Sequence, residues 1–305
     1  MAFTAADVKN LREMTGVGMM DCKKALTEAD GNMDKAVEIL REKGLAASAK
    51  KAGRIAAEGM AYATVIDGIG VVVEVNAETD FVGKNEKFVD FVKGVAATVA
   101  ANKPADLDAL MDCKYNGTDL TVLQQQQEMV LVIGENIKVR RFARFAEGVC
   151  VPYIHAGGKI GVLVNLAVEG EVSDKVLEMG KDVAMQIAAL NPRFWDKSQV
   201  TEDVLAEEKK IMLAQMANDP KMANKPDKVK ENIVSGKLNK FYAENCLLQQ
   251  EFVKDNSMSV EKYIESSAKA LGGTVSFKDA VRFEKGEGIE KKESNFAEEI
   301  ASMLK

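Results

Sequence analysis

The chain carries one histidine, His155, in 305 residues. That count excludes a multi-histidine metal site and removes most of the usual acid–base chemistry. A Ser-His-Asp triad survives only as arithmetic. Cysteine is scarce and scattered: Cys22, Cys113, Cys150 and Cys246 form no C-x-x-C redox or zinc motif. Isolated thiols of this kind suit a reducing compartment, where they behave as small buried hydrophobes. No phosphate-binding G-x-x-x-x-G-K-[ST] loop occurs, and Gly16-x-Gly18 lacks the third glycine and the preceding strand of a dinucleotide site. No run approaches the roughly 18 uncharged apolar residues that a membrane span needs. The opening MAFTAADVKN has neither the basic and apolar regions of a signal peptide nor the Arg- and Ser-rich character of a transit peptide. A cytoplasmic protein with no membrane partner is therefore expected. Positive charge is not in excess either: 41 Lys and Arg stand against 47 Asp and Glu, for a net charge of −6. This argues against direct contact with nucleic acid as the main function, because that requires a basic face.

The composition that remains is 47% apolar and 29% charged, enough to build real cores in about two domains. The first fifty residues read as short helices. Thr4 caps a helix running through Leu11 and Arg12 to Met14, and Gly16-Val17-Gly18 breaks it. A second helix starts near Met19 and Met20, with Ala25 and Leu26 on its apolar face. Asp30-Gly31-Asn32 marks a turn. A third helix from Asp34 carries Ala36, Val37, Ile39 and Leu40 and is expected to end before Gly44. This detached three-helix head resembles a ubiquitin-associated (UBA-like) domain, a module that offers a shallow apolar surface to a partner. Val17, Met19 and Met20 with Leu11 are the candidate surface; a methionine pair plugging the core is the competing reading. Ala46–Arg54 reads as a helical or extended linker with solvated Lys50, Lys51 and Arg54.

An internal duplication follows. Gly59–Val75 and Val151–Leu166 each read as two strands around a turn, at Asp67-Gly68 and Gly157-Gly158. Ile69-Gly70-Val71-Val72-Val73 matches Ile160-Gly161-Val162-Leu163-Val164. An amphipathic helix comes next in each copy, over about Glu86–Ala101 and Ser173–Leu190. The apolar face of the first is Phe88, Phe91, Val92, Val95 and Val99; that of the second is Val176, Leu177, Val183, Ile187 and Leu190. Ala143–Gly148 and Val281–Gly286 close the copies. The offset grows from 91 to 138 positions, so the second copy carries about 47 extra residues. The insertion is helical in pattern, over Val204–Met216 and Val229–Leu248. It is expected to project as an antiparallel arm without a core of its own, packed on its own domain, on a partner or on another copy.

The predicted fold class is α+β: residues 1–54 head and linker, 55–148 first half, and 149–305 second half. The arm occupies about 196–256, and a C-terminal helix, about 294–304, presents Phe296, Ile300, Met303 and Leu304.

One segment is not explained by packing alone. Thr79-Asp80-Phe81-Val82 follows a strand and precedes a helix. Thr79 or Asp80 can cap that helix, and Phe81 is either a staple into the core or a projecting wedge. Several long segments resemble the elongation factor Ts family, the guanine-nucleotide exchange factors of elongation factor Tu. They are Leu11-Arg12 with Thr15–Leu26, Glu74-Val75-Asn76 with Thr79–Val82, Ile133–Ile137, Tyr153-x-His155 and Arg282–Lys291.

The resemblance implies a protein without bond-making chemistry or a cofactor of its own, whose partner is elongation factor Tu. It implies that Thr79, Asp80, Phe81 and Val82 displace Mg²⁺ from the partner. His155 disturbs the partner's phosphate-binding loop, and Leu11, Arg12, Met19 and Met20 dock the head. Two other classes stay open: a plain interaction module built on the head, and an enzyme using Asp80, Glu74 and His155 as acid–base groups.

Overall fold

The computed structural model describes residues 3–219, 221, 225–271 and 273–290. The predicted C-terminal helix lies outside the described residues. The fold is α+β, with helices first and a sheet-and-helix core after them.

The head is α1 (Ala5–Thr15), α2 (Met19–Glu28) and α3 (Met33–Lys51). Thr4 caps α1 in a reciprocal box with Asp7, and Gly16 ends it at φ 69°, a left-handed conformation that favours glycine. Val8, Leu11, Val17, Cys22, Ala25, Leu26 and Leu40 fill the space between the three helices.

The first half follows as β1 (Glu58–Ile66), β2 (Ile69–Ala77), α4 (Glu86–Asn102), α5 (Leu107–Asp112), α6 (Val122–Ile133) and β3 (Lys138–Phe145). Its antiparallel sheet runs β1-β2-β3. The second half is β4 (Val149–His155), β5 (Ile160–Glu169) and α7 (Asp174–Leu190), then the arm helices α8 (Glu202–Asn218) and α9 (Asp227–Asn245). The small hairpin β6 (Glu251–Phe252) and β7 (Asp255–Ser259), α10 (Val260–Leu271) and β8 (Thr274–Glu284) complete it. Its main sheet runs β4-β5-β8.

The two central strands carry the apolar runs Val71–Val73 and Val162–Val164 because both their faces are buried. On one face Val71, Val73 and Val75 meet Phe88, Phe91, Val92, Val95 and Val99 of α4. Likewise Val162, Val164 and Leu166 meet Val176, Met179, Val183 and Ile187 of α7. The alternate residues, Val72 and Leu163, join Ala61, Ala63, Cys150 and Phe283 in a layer between the sheets. The equivalent glycines Gly70 and Gly161 permit that approach. A Cβ at 70 would lie 2.7 Å from Cys150 Cβ, and one at 161 would lie 3.1 Å from the Ala61 backbone. Even the irregularity is repeated: each sheet has a register shift, at Glu74/Val75 and at Asn165/Leu166.

Several expectations change. α3 does not stop at Gly44 but runs on to Lys51, so the Ala46–Arg54 segment takes the helical of its two readings over most of its length. Gly44 is where α3 meets α6: a Cβ there would sit 3.4 Å from the Gln127 carbonyl oxygen. Leu131 and Val132 of α6 join the head's apolar cluster, Arg41 pairs with Glu128 at 3.6 Å, and Lys87 Nζ donates to the Gly16 carbonyl at 3.1 Å. The head is therefore seated on the first half, not detached. On α7, Leu177 and Leu190 are exposed, and Met179 and Ala184 take their places in the core. The arm does have a core of its own, in which Met212 and Met216 of α8 meet Val234 and Phe241 of α9.

Candidate functional site

Beyond Ala77 the chain leaves the sheet, makes a single 3-10 turn at Val82–Lys84 and enters α4. The cap of α4 is neither Thr79 nor Asp80 but Asn85, whose Oδ1 accepts from Lys87 N at 3.0 Å and Phe88 N at 3.4 Å. This frees the preceding residues for other contacts. Thr79 is half-buried, and its hydroxyl donates to Glu135 Oε1 at 2.6 Å. The peptide N–H groups of Glu78 and Thr79 both donate to Glu135 Oε2 at 3.0 Å. Val82 is buried in the core beneath α4. Gly83 presses on β1, where a Cβ would lie 2.8 Å from the Gly59 carbonyl oxygen.

Between these anchors, Asp80 and Phe81 stand out. The Asp80 side chain is exposed and has no hydrogen bond or ion pair among the described residues. Phe81 is 81% exposed. The staple reading is thereby excluded, because a staple buries its ring. A large aromatic held in water on a pinned loop forgoes most of the roughly 2–3 kcal/mol that burial would contribute. It is free to give that energy to a partner.

His155 ends β4, exposed at the base of the β4–β5 turn, with its Nδ1 3.0 Å from the Tyr153 hydroxyl. The turn rests on β1: the Ala61 N–H donates to the Gly158 carbonyl at 2.8 Å, and Gly158 abuts Met60. The Thr79–Gly83 loop and the His155 hairpin thus lean on consecutive residues of one strand, Gly59 and Met60-Ala61. They share one end of the molecule although 76 positions separate Thr79 from His155.

The head divides its predicted residues. Arg12, Met19 and Met20 are exposed, the methionines by 50% and 64%. Leu11 is not: it is fully buried among the head's helices, as is Val17. Leu11 can shape the surface but cannot touch a partner. Met14 is exposed as well, and sequence reasoning missed it. It also missed Glu135, which lies 56 positions from Thr79. The one available signal was its place in the Ile133–Ile137 segment.

Behind the loop lies Glu74, fully buried. Its carboxylate accepts from the Gly286 N–H at 2.8 Å, Arg140 at 2.9 Å and Asn76 at 3.0 Å, and is gripped by Arg141. Burial pushes its pKa up, but these four donors outweigh burial and hold it below the usual glutamate value. A fully buried Glu74 cannot share an open acid–base site with the exposed Asp80 and His155. Among the described residues no group of three or more His, Cys, Asp or Glu side chains is placed to hold a metal, and no helix is long and apolar enough to cross a membrane.

The family described as Elongation factor TS matches residues 78–287. The chain is 48% identical over 307 residues to the elongation factor Ts of Syntrophotalea carbinolica, covering 100% of both chains. It is 49% identical over 304 residues to that of Clostridium perfringens, covering 98% of each. To that of Clostridium kluyveri it is 47% identical over 306 residues, covering 99% of this chain and 98% of the relative. Matched across head, core and arm alike, the chain belongs to the elongation factor Ts family of translation elongation factors.

Proposed function

We propose that this chain is a cytoplasmic guanine-nucleotide exchange factor: it binds elongation factor Tu carrying GDP, speeds GDP release and lets GTP rebind. The observation that carries the reading is Phe81, 81% exposed on a loop whose neighbours Thr79 and Val82 are fixed. Such a ring is prepared for an apolar crevice in another protein. Arg12, Met19 and Met20 dock the head on the nucleotide domain of the partner, methionine adapting to an irregular surface. Phe81 wedges between partner helices, so its burial energy exists only in the distorted state. Asp80 disturbs the water and side-chain shell around the partner's Mg²⁺. Losing the ion unmasks repulsion among the phosphate oxygens and weakens the hold on the diphosphate. His155 presses on the phosphate-binding loop from its own hairpin. The arm contacts the partner or a second copy of the chain.

No bond is made or broken, so the work is a coupling free energy. The factor by which this chain loosens nucleotide is the factor by which returning nucleotide loosens this chain. Each tenfold of it corresponds to about 1.4 kcal/mol. The test is release of fluorescent GDP from elongation factor Tu with and without the chain. Acceleration is expected, weakened by Asp80→Ala at millimolar Mg²⁺ but no longer weakened once Mg²⁺ is chelated. Binding without faster release would make this a plain interaction module. An Asp80→Ala defect that persists in chelator would remove the ion-displacing role.

A further inference from the structure

The turn after α6 holds three consecutive residues bound to three different parts of the chain. The Gly134 carbonyl accepts from Lys51 Nζ at the last residue of α3. The Glu135 carboxylate accepts three donors from Glu78 and Thr79. Asn136 donates its N–H to Glu78 Oε1 at 2.6 Å and its side-chain amide to the Arg54 carbonyl at 2.8 Å. The Arg54 guanidinium lies 3.5 Å from that same Glu78 oxygen. Glu135 thus binds the Glu78 backbone while Glu78 binds the Asn136 N–H next to Glu135, and the segment joining the head to the core is locked into the same knot. Bonds to a carboxylate are the stronger kind, and here they fix the peptide planes that enter Glu78 and Thr79, just ahead of Asp80 and Phe81.

We infer that Glu135 is the positioning residue of the Asp80–Phe81 projection, and that the Gly134–Asn136 turn sets the seat of the head and the aim of Phe81 as one unit. This rests on the exchange reading above. A partner engaged through Met19 and Met20 then meets Phe81 at a fixed spacing, and the loop's ordering entropy is spent in folding rather than on insertion. Without Glu135 the loop keeps its residues but loses its direction.

The full-length chain tests this as wild type, Glu135→Ala and Glu135→Gln. Glutamine can place its carbonyl oxygen on the two N–H groups and donate its amide to the Thr79 hydroxyl, so it keeps the geometry without the charge. In the free protein, Glu135→Ala should speed hydrogen exchange at the Glu78 and Thr79 amides by about tenfold or more, and Glu135→Gln by much less. Undiminished protection in Glu135→Ala overturns the inference whatever the exchange activity. With elongation factor Tu and fluorescent GDP, Glu135→Ala should lower the saturating release rate by about tenfold while half-saturation moves less than about twofold. Glu135→Gln should recover most of that rate. With Mg²⁺ chelated, so that Asp80 no longer contributes, the double variant Phe81→Ala/Glu135→Ala should be no slower than Phe81→Ala, because both then act through one ring. Independent, multiplying defects, or one thermal destabilisation shared by both Glu135 variants with unchanged rates, would make Glu135 merely structural. If the wild type itself does not speed release, the exchange reading fails, and the amide protection still decides the positioning claim.

Discussion

Phe81 and Val82 are neighbours with opposite fates. One ring stands in solvent while the next side chain is buried under α4. Their substitutions should therefore separate function from folding. Phe81→Ala is expected to leave stability within about 0.5 kcal/mol, as for an exposed site, while cutting exchange about tenfold or more. Val82→Ala is expected to cost about 2 kcal/mol through lost burial and a cavity. Urea unfolding and fluorescent GDP release on the same preparations check both, and an unfolded Phe81→Ala protein would restore the staple reading. Residue type alone could mark Thr79–Val82 as unusual but could not assign these fates, since an aromatic at a strand-to-helix corner suits either. Leu11 illustrates the opposite error. It shares a sequence segment with Met19 and Met20, yet only the packing of three helices decides that it faces inward.

The strands were legible as elements because their periodicity is dictated by what they bury. β2 and β5 carry repeated apolar runs, and each is covered by a helix on one face and a sheet on the other. What a periodicity cannot supply is the identity of the covering element. Gly44 reads as a helix stop, because glycine ends helices more often than it continues them. The structure keeps it inside α3, facing α6, where an added Cβ would be in ordinary contact with the Gln127 carbonyl oxygen. Gly70 and Gly161 are tighter, between the sheets. Gly161→Ala is expected to destabilise by about 2 kcal/mol, because the added methyl meets backbone that cannot rotate away. Thermal unfolding checks this; a neutral Gly161→Ala would mean that the sheets can move apart freely. In the arm, two amphipathic patterns without a visible partner proved to be each other's partner.

At the scale of the whole molecule, Glu74 ties the two halves together. It belongs to β2 of the first half, yet it accepts from the Gly286 N–H just past β8 of the second. Arg141 grips the same carboxylate, donates to Glu287 at 2.9 Å and lies over the Phe283 ring at 4.3 Å. The pH dependence follows from the sign of the shift. The folded-state pKa lies below the ordinary glutamate value of about 4.3. The stabilisation is therefore fully present above that value and is lost as pH falls through the lower folded-state pKa. Glu74→Gln should cost about 2 kcal/mol near neutrality and flatten the acid side of the stability profile. Urea unfolding across the acid range checks it, and an unchanged acid slope would show that other carboxylates dominate.

The amino-acid sequence by itself determined the α+β class, the duplication and the inserted arm, because each is written in local periodicity and in repeated segments. It also marked Thr79–Val82 and His155 as residues to explain. Only the tertiary structure decided that Phe81 points outward, that Leu11 points inward and that the head is seated on α6. It alone brought the Thr79–Gly83 loop and the His155 hairpin onto neighbouring residues of β1. Those outcomes rest on contacts between separate elements, several of them more than fifty positions apart, such as Glu135 with Thr79 and Lys87 with Gly16. Side-chain direction at such places is set by the surface that arrives from elsewhere in the chain, and no local pattern records it.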